Sequence, residues 1–290
     1  MVGDVVDEAT VERALEGCDA VVHAAAVVAI EARRAREVLA TNLRAVELVV
    51  GGAARRGLGP IVHVSSASAL FAPGAQVLNE ASPVGVFRSA YGRSKADAED
   101  FVRGLQERGA PVITTYPTGV IGPDDPGLSE GNHTIVVLIR DLFLDTASGF
   151  QPVDVRDVAH AHALLVSDRK GPGRYMLAGS LLPWREFGDL LKELTGSLRR
   201  VSIPGGLLRA AGRVCDVVKR VRPFDFPLTT EATAYATRWV PVDSSHARED
   251  LGIDFRPSRE SLEDCICWLV AAGHLDPARA GRLGQPPPPC

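Results

Sequence analysis

Three short runs of the chain are apolar or β-branched almost without a break: Ala20-Val21-Val22-His23, Pro60-Ile61-Val62-His63-Val64, and Pro111 to Thr115. Runs of this length without alternation fit strands buried on both faces, as in a parallel sheet. Between the first two, Leu39, Leu43, Val46, Val50 and Ala53 recur at helical spacing, and Gly57 and Gly59 stop the stripe. Between the second and third, a loop with Pro73, Gly74, Asn79 and Pro83 leads to a helix from Tyr91 to Arg108. Ala98, Phe101, Val102 and Leu105 share one of its sides, and Gly109 ends it. Strands and helices alternating in this order predict an α/β, doubly wound parallel sheet with helices on both faces.

Beyond Pro117 the texture changes. Gly122-Pro123-Asp124-Asp125-Pro126-Gly127 is a turn-rich break, followed by a helical run from Ile135 to Leu144 among loops. Val153 to Ala159 leads into a helix through Val166, and Tyr175-Met176-Leu177 reads as a strand. Further helices are expected near Trp184 to Leu194, Leu207 to Val221 and Ser261 to Ala272. The stretch from 276 to 290 ends in a proline run and is expected to be disordered.

Composition narrows the function classes. An apolar fraction of 46% over 290 residues supports a sizeable core. A formal net charge of −4 gives no basic footprint, so no nucleic-acid partner is expected. No apolar run reaches the length of a membrane span. Asp4, Asp7 and Glu8 stand near the N-terminus in place of a basic segment and an apolar core, which points to a cytoplasmic protein. Five cysteines without a CxxC pair suit a reducing compartment. Cys265 and Cys267 point apart on a helix and read as small buried residues, so no metal site is expected.

Tyr91-Gly-Arg-Ser-Lys95 carries the candidate chemistry. Tyrosine and lysine at i and i+4 share a helical face, and a nearby ammonium favours the phenolate. Such a tyrosine can pass a proton to or from a carbonyl or hydroxyl oxygen. An exposed helical pair is the plain alternative. Ser65-Ser66 closes the preceding strand, at the end where open α/β sheets bind ligands. Ser66 can then donate to the oxygen that Tyr91 protonates, unless the two serines only form a turn. His23 reads as strand-end packing, His133 as a surface or lid residue, and His160 and His162 as lining a helix face. Trp184, Trp239 and Trp268 read as core.

On these residues the chain resembles the extended short-chain dehydrogenases/reductases, the NAD-dependent epimerase/dehydratase family. The resemblance implies an NAD(P)-binding Rossmann-like sheet with a smaller C-terminal α/β substrate region. Gly3-Asp4-Val5 resembles the segment whose aspartate contacts the adenine, so Asp4 and Val5 are implied cofactor contacts. Val22-His23-Ala24-Ala25-Ala26 resembles the small-residue strand end beside the cofactor, which implies His23, Ala24 and Ala25. Thr41-Asn42-Leu43 is similar to a motif whose asparagine supports the proton relay, which implies Asn42 on the cofactor side of the site. Ser66, Tyr91 and Lys95 match the catalytic set, with Tyr91 and Lys95 also facing the cofactor ribose. Tyr116 to Pro123 resembles the loop beside the nicotinamide, which implies Pro117, Gly119 and Val120. Val153 to Ala159 resembles a helix-start segment of the family. Tyr116 stands where many sugar-nucleotide epimerases have arginine. Leu207 to Gly212 and Leu251 to Pro257 are similar to the branch of dihydroflavonol-4-reductases, cinnamoyl-CoA reductases and 3β-hydroxysteroid dehydrogenases.

The implied activity is hydride transfer between NAD or NADP and a carbonyl or alcohol on a small molecule. The alternatives are a sugar-nucleotide epimerase or dehydratase, or a catalytically silent truncated remnant or interaction protein. The implied division is a dinucleotide-binding domain over 1–122 with about 151–180, a substrate region over 123–150 and 181–275, and the tail over 276–290. The family's TGxxGxxG turn does not occur in the sequence. The expectation is therefore a sheet truncated at its N-terminus, lacking its first two strands and opening on MVGDVVD as the third. Its exposed edge would be open to pairing in a homodimer. The residue that separates NAD from NADP follows the second strand in this fold, so cofactor choice is not read.

Overall fold

The apolar runs become neighbouring strands. In this computed structural model the described residues are 1–27, 35–87, 90–221 and 228–284, apart from the side chains of 35–37, 90, 91, 220, 221 and 231. In chain order the elements begin α1 (Glu8–Leu15), β1 (Val21–His23), α2 (Ala35–Arg55), β2 (Ile61–Val64), α3 (Ala90–Glu107) and β3 (Val112–Pro117). They continue β4 (Gly119–Ile121), α4 (Glu130–Arg140), β5 (Phe143–Asp145), β6 (Gly149–Phe150), β7 (Pro152–Asp154), α5 (Val155–Ser167) and β8 (Gly173–Leu177). They end β9 (Leu182–Pro183), α6 (Trp184–Thr195), β10 (Arg200–Ser202), α7 (Gly205–Val221), α8 (Thr230–Arg238), α9 (Ser245–Leu251) and α10 (Ser258–Ala271).

The chain divides into two compact units. The first is Met1–Thr118, Val158–Leu177 and Val242–Ile253; the second is Gly119–Asp157, Ala178–Pro241 and Asp254–Cys290. The first break thus falls after Thr118, where the sequence suggested 122. Residues 242–253 return to the first unit, which no composition shift announces.

In the first unit β1, β2, β3 and β8 form a parallel sheet in that order. All six residues of β3 are buried, which explains its unbroken apolar run. One face of the sheet is covered by α1, α2 and α3, where Val11, Leu15, Val46, Val50, Ala53, Ala98 and Val102 pack around Ile61 and Val112. Each such fully buried branched side chain contributes about 1.5–3 kcal/mol. On the other face lies α5, whose His162 Nε2 shares a 2.9 Å hydrogen bond with Thr115 Oγ1. At the end of α3, Gly109 takes φ 83°, a left-handed cap that a side chain would strain.

MVGDVVD is not a strand. Val5 and Val6 sit in a turn, the Asp4 carboxylate accepts from Val6 N at 3.0 Å, and Asp7 caps the N-terminus of α1. Local side-chain-to-backbone bonds here take the backbone groups that a strand would pair. The sequence reading passed over α1 because Val11 and Leu15 are its only buried positions. Similarly, α8 has no apolar stripe and is set by its Thr229 cap.

In the second unit three short pairs, β4 with β7, β5 with β10 and β6 with β9, surround a helical core. The expected helix from Ile135 to Leu144 ends at Arg140. Phe143 to Asp145 pair instead with Arg200 to Ser202, which buries Phe143 completely. Phe143 packs against Phe187 and Trp184, and Trp184 stacks on Phe150 with centroids 6.0 Å apart. The tail is ordered further than its prolines suggested. Pro277–Arg279 and Gly281–Gly284 form 3-10 turns, and Leu275 and Ala280 are buried in the same core. Residues 285–290 lie outside the described residues.

Truncating Phe143 to alanine removes the ring on which this cluster is built. We expect Phe143→Ala to cost about 3–5 kcal/mol in urea unfolding. A loss below about 1 kcal/mol would show that the ring cluster does not hold the second unit.

Candidate active site

Parallel strands bring their C-terminal ends to one edge of the sheet, so the residues after β1 and β2 share it. Ala24, Ala25 and Ala26 follow β1 with small, exposed side chains. Ser65 and Ser66 follow β2, and Ser65 N extends the ladder by donating to Thr115 O at 2.9 Å. Ser66 caps a 3-10 turn (Ala67–Leu70). Its Oγ accepts from Ser68 N at 3.2 Å and from Ser68 Oγ at 2.8 Å. A hydroxyl proton rotates to suit its partner, so Ser66 can turn its own toward a ligand oxygen.

Tyr91 lies in the first turn of α3; its side chain is outside the described residues. One turn on, Lys95 is buried, and burial pushes its ammonium down to about 8. His23 is held down to about 4, first by burial and then by the Lys95 charge. His63 lies well below its ordinary value through burial, then His23 and Lys95. His23 and His63 are in register on β1 and β2 and stack at 5.8 Å, so two neutral imidazoles floor the lysine's surroundings.

Asn42 on α2 clamps the segment after β1. Its Oδ1 accepts from Val27 N at 2.7 Å, while Nδ2 donates to Val27 O at 3.0 Å and to Ser94 Oγ at 3.2 Å. Both amide donors are thereby committed. Asn42 positions the β1 loop against the residue preceding Lys95 and holds neither donor open for a ligand.

Sequence reasoning missed Glu99, the next residue on the Tyr91–Lys95 stripe. It is fully buried and takes three donors: Tyr116 OH at 2.5 Å, Arg103 Nε at 2.7 Å and Ser65 Oγ at 3.2 Å. Tyr116 therefore faces the interior, where burial and the Glu99 carboxylate raise its phenol. The spacing at i+4 was visible, but a carboxylate beside an arginine on a helix ordinarily reads as a solvated pair.

Of the other expected contacts, Asp4 and Val5 stand in the opening turn, with the Asp4 carboxylate engaged on Val6 N. Pro117 ends β3, while Gly119 and Val120 belong to the second unit, in β4. A Cβ on Gly119 would meet the Phe150 ring at 2.5 Å, so its glycine is a packing requirement. In that unit two sequence motifs meet: Asp157 accepts from Arg256 N at 2.7 Å and pairs with the Arg256 guanidinium. Asn132 clamps Gly122 through both N–H and C=O, at 3.1 and 2.8 Å. An open cleft of about 790 Å³ in the second unit is lined by Asp145, Leu181, Arg185, Pro204, Arg238 and Trp239. Trp239 is thus a cleft residue, whereas Trp184 belongs to the ring cluster. His133 is exposed on α4. Cys265 is buried against Asn132, with its thiol pushed up to about 12 by burial, but Cys267 is exposed. No cluster of metal-ligating groups and no membrane-spanning helix occurs among the described residues.

Two outcomes follow. Between about pH 8 and 10.5 the unfolded chain keeps a proton that native Lys95 has released, so stability rises with pH across that window by roughly 3 kcal/mol. Urea midpoints should show that rise, and Lys95→Met should flatten it; parallel curves for the two proteins would refute a buried lysine. Glu99→Ala strands Arg103 and two hydroxyls and should cost about 3–5 kcal/mol, while a change within about 0.5 kcal/mol would mean that the carboxylate holds nothing.

Known proteins resemble this chain over nearly its whole length. Sterol demethylase protein B of Methylococcus capsulatus is 30% identical over 283 residues, covering 94% of this chain and 85% of its own. Cinnamoyl-CoA reductase 1 of Arabidopsis thaliana is 25% identical over 290 residues, covering 94% of this chain and 75% of its own. The crystal structure of gox2253 matches with a TM-score of 0.78 at 25% identity, covering 95% of this chain and 85% of that one. The profile of the NAD dependent epimerase/dehydratase family matches residues 1–179, and the parallel α/β sheet of the first unit agrees with the Rossmann-like fold of that family. This chain belongs to the NAD dependent epimerase/dehydratase family.

Proposed function

We propose that the chain is an NAD(P)-dependent oxidoreductase that interconverts a carbonyl and its alcohol on a moderately apolar small molecule. The observation that supports it most is the buried Lys95, lowered to about 8, on the turn of α3 that follows Tyr91. The cinnamoyl-CoA reductase relative supports reduction over epimerisation.

The residues fit the nicotinamide end of the cofactor. Small exposed Ala24 and Ala25 allow close backbone approach at the strand end, and Lys95 supplies a donor and a charge behind them. His23 and Pro117 are the further contacts that we assign to that end, and Asp4 and Val5 to the adenine. No glycine-rich strand-to-helix turn occurs in the 290 residues, so the pyrophosphate is assigned no contact. When bound, the nicotinamide supplies or takes the hydride. Ser66 donates a hydrogen bond to the substrate oxygen and fixes its position. Tyr91 passes the proton to that oxygen during reduction and takes it back during oxidation. The Lys95 ammonium, one helical turn away, favours the phenolate and so brings the tyrosine nearer to working pH. Asn42 keeps the helix turn that carries Ser94 and Lys95 fixed to the β1 loop.

Oxidation of NADH and NADPH against an aromatic aldehyde, a cyclic ketone and an acyl-CoA thioester tests the reading. Tyr91→Phe should lower kcat by about 10²–10⁴ while leaving cofactor affinity unchanged. Turnover that survives Tyr91→Phe would sink the assignment of the acid. A folded chain with no saturable binding of either nucleotide would be catalytically silent.

A further inference from the structure

Ser65 stands beside the proposed hydroxyl donor Ser66 and is held by two different elements. Its backbone N–H donates to Thr115 O on β3 at 2.9 Å. Its side chain reaches α3, where Oγ donates to Glu99 Oε2 at 3.2 Å. Both residues are buried, Glu99 completely. The other carboxylate oxygen, Oε1, is locked by Tyr116 OH at 2.5 Å and Arg103 Nε at 2.7 Å. Arg103 is anchored in turn, its Nη2 donating to Ser82 O at 3.1 Å. Tyr91, Lys95, Glu99 and Arg103 recur at four-residue steps along α3. Each therefore lies about 6 Å along the axis from the next, on one stripe of a stiff helix.

Stability is a poor account of this arrangement. A buried carboxylate with its arginine is often no more stable than apolar side chains of the same volume. A hydrogen bond does, however, tolerate little change in length or angle, so it fixes the spacing that it spans. Here it spans the end of β2 and the helix of the candidate acid. On its other side Ser66 caps the 3-10 turn Ala67–Leu70. Ser66 thus sits between that turn and a pinned neighbour.

We propose that Ser65 is a positioning residue: through its bond to Glu99 it sets the distance from the Ser66 hydroxyl to the α3 stripe of Tyr91 and Lys95. This role rests on the oxidoreductase reading, in which Ser66 and Tyr91 must meet at one substrate oxygen. Removing the Ser65 hydroxyl leaves Glu99 Oε2 without a donor among the described residues and unties the strand end from the helix. Ser66, Tyr91 and Lys95 keep all their atoms. The loss falls on their alignment, which counts in the transition state and not in nucleotide binding.

Ser65→Ala and Ser65→Thr in the full chain test it, assayed well below their thermal midpoints with a carbonyl that the wild type reduces. Ser65→Ala should lower kcat roughly tenfold while nucleotide Kd stays unchanged. Ser65→Thr, which keeps the hydroxyl, should restore kcat. Hydrogen exchange reads the brace without turnover. The amides of Ser68 and Ala69 donate to Ser66 Oγ and Ser66 O. In Ser65→Ala they should exchange at least about fivefold faster, while those of α2 keep their protection. Unchanged kcat in Ser65→Ala would overturn the proposal. So would a loss of kcat accompanied by an equal loss of nucleotide affinity, or one that a folded Ser65→Thr does not restore. If the wild type reduces no carbonyl, the oxidoreductase reading fails by itself. Exchange then decides the brace: faster exchange in Ser65→Ala upholds it, and unchanged exchange overturns it.

Discussion

The first unit is tied at one point, the buried carboxylate of Glu99. Ser65 reaches it from the end of β2, Tyr116 from β3 and Arg103 from the next turn of α3. A charge so enclosed is tolerated only when each oxygen is paired, and here every donor comes from a different part of the chain. The consequence is geometric. Ser66 is the neighbour of Ser65, and Lys95 lies one turn before Glu99. Fixing Glu99 therefore fixes the strand end and the helix from which those groups project.

A second clamp acts from the other side of α3. Asn42 holds both backbone groups of Val27 and the Ser94 hydroxyl, so Val27 is fixed to the turn that carries Lys95. The second unit repeats the device in Asn132, which holds Gly122 N–H and C=O and accepts from Cys265. An asparagine suits the task because one planar amide carries a donor and an acceptor at the spacing of a backbone peptide.

What the sequence could carry was whatever one element states by itself. The unbroken runs at Ile61 to Val64 and Val112 to Thr115 announced buried parallel strands, and Tyr91 and Lys95 announced one helical face. Glu99 was on the same stripe, but its meaning depends on Ser65 and Tyr116, which only folding brings to it. Asp157 and Arg256 stood in two recognised segments, and their bond spans 99 residues that no periodicity links. The strands of two or three residues in the second unit are too short for any period to show. MVGDVVD misled because its valines suit a strand, while Asp4 and Asp7 spend the same backbone groups on a turn and a cap.

Lys95 shows how stability is set against chemistry at one residue. Burial lowers it to about 8, and two imidazoles nearby would repel it further if they were charged. They are neutral for the same reason that the lysine is perturbed: one desolvated pocket disfavours every cation in it. Near neutral pH the lysine alone keeps its proton, because its ordinary value starts far higher than that of histidine. The pocket thus admits a single positive charge and places it one turn from Tyr91. A solvated lysine at the same position would cost less to fold, but water would screen its field. Destabilisation of the charge is what gives it reach over a neighbouring phenol.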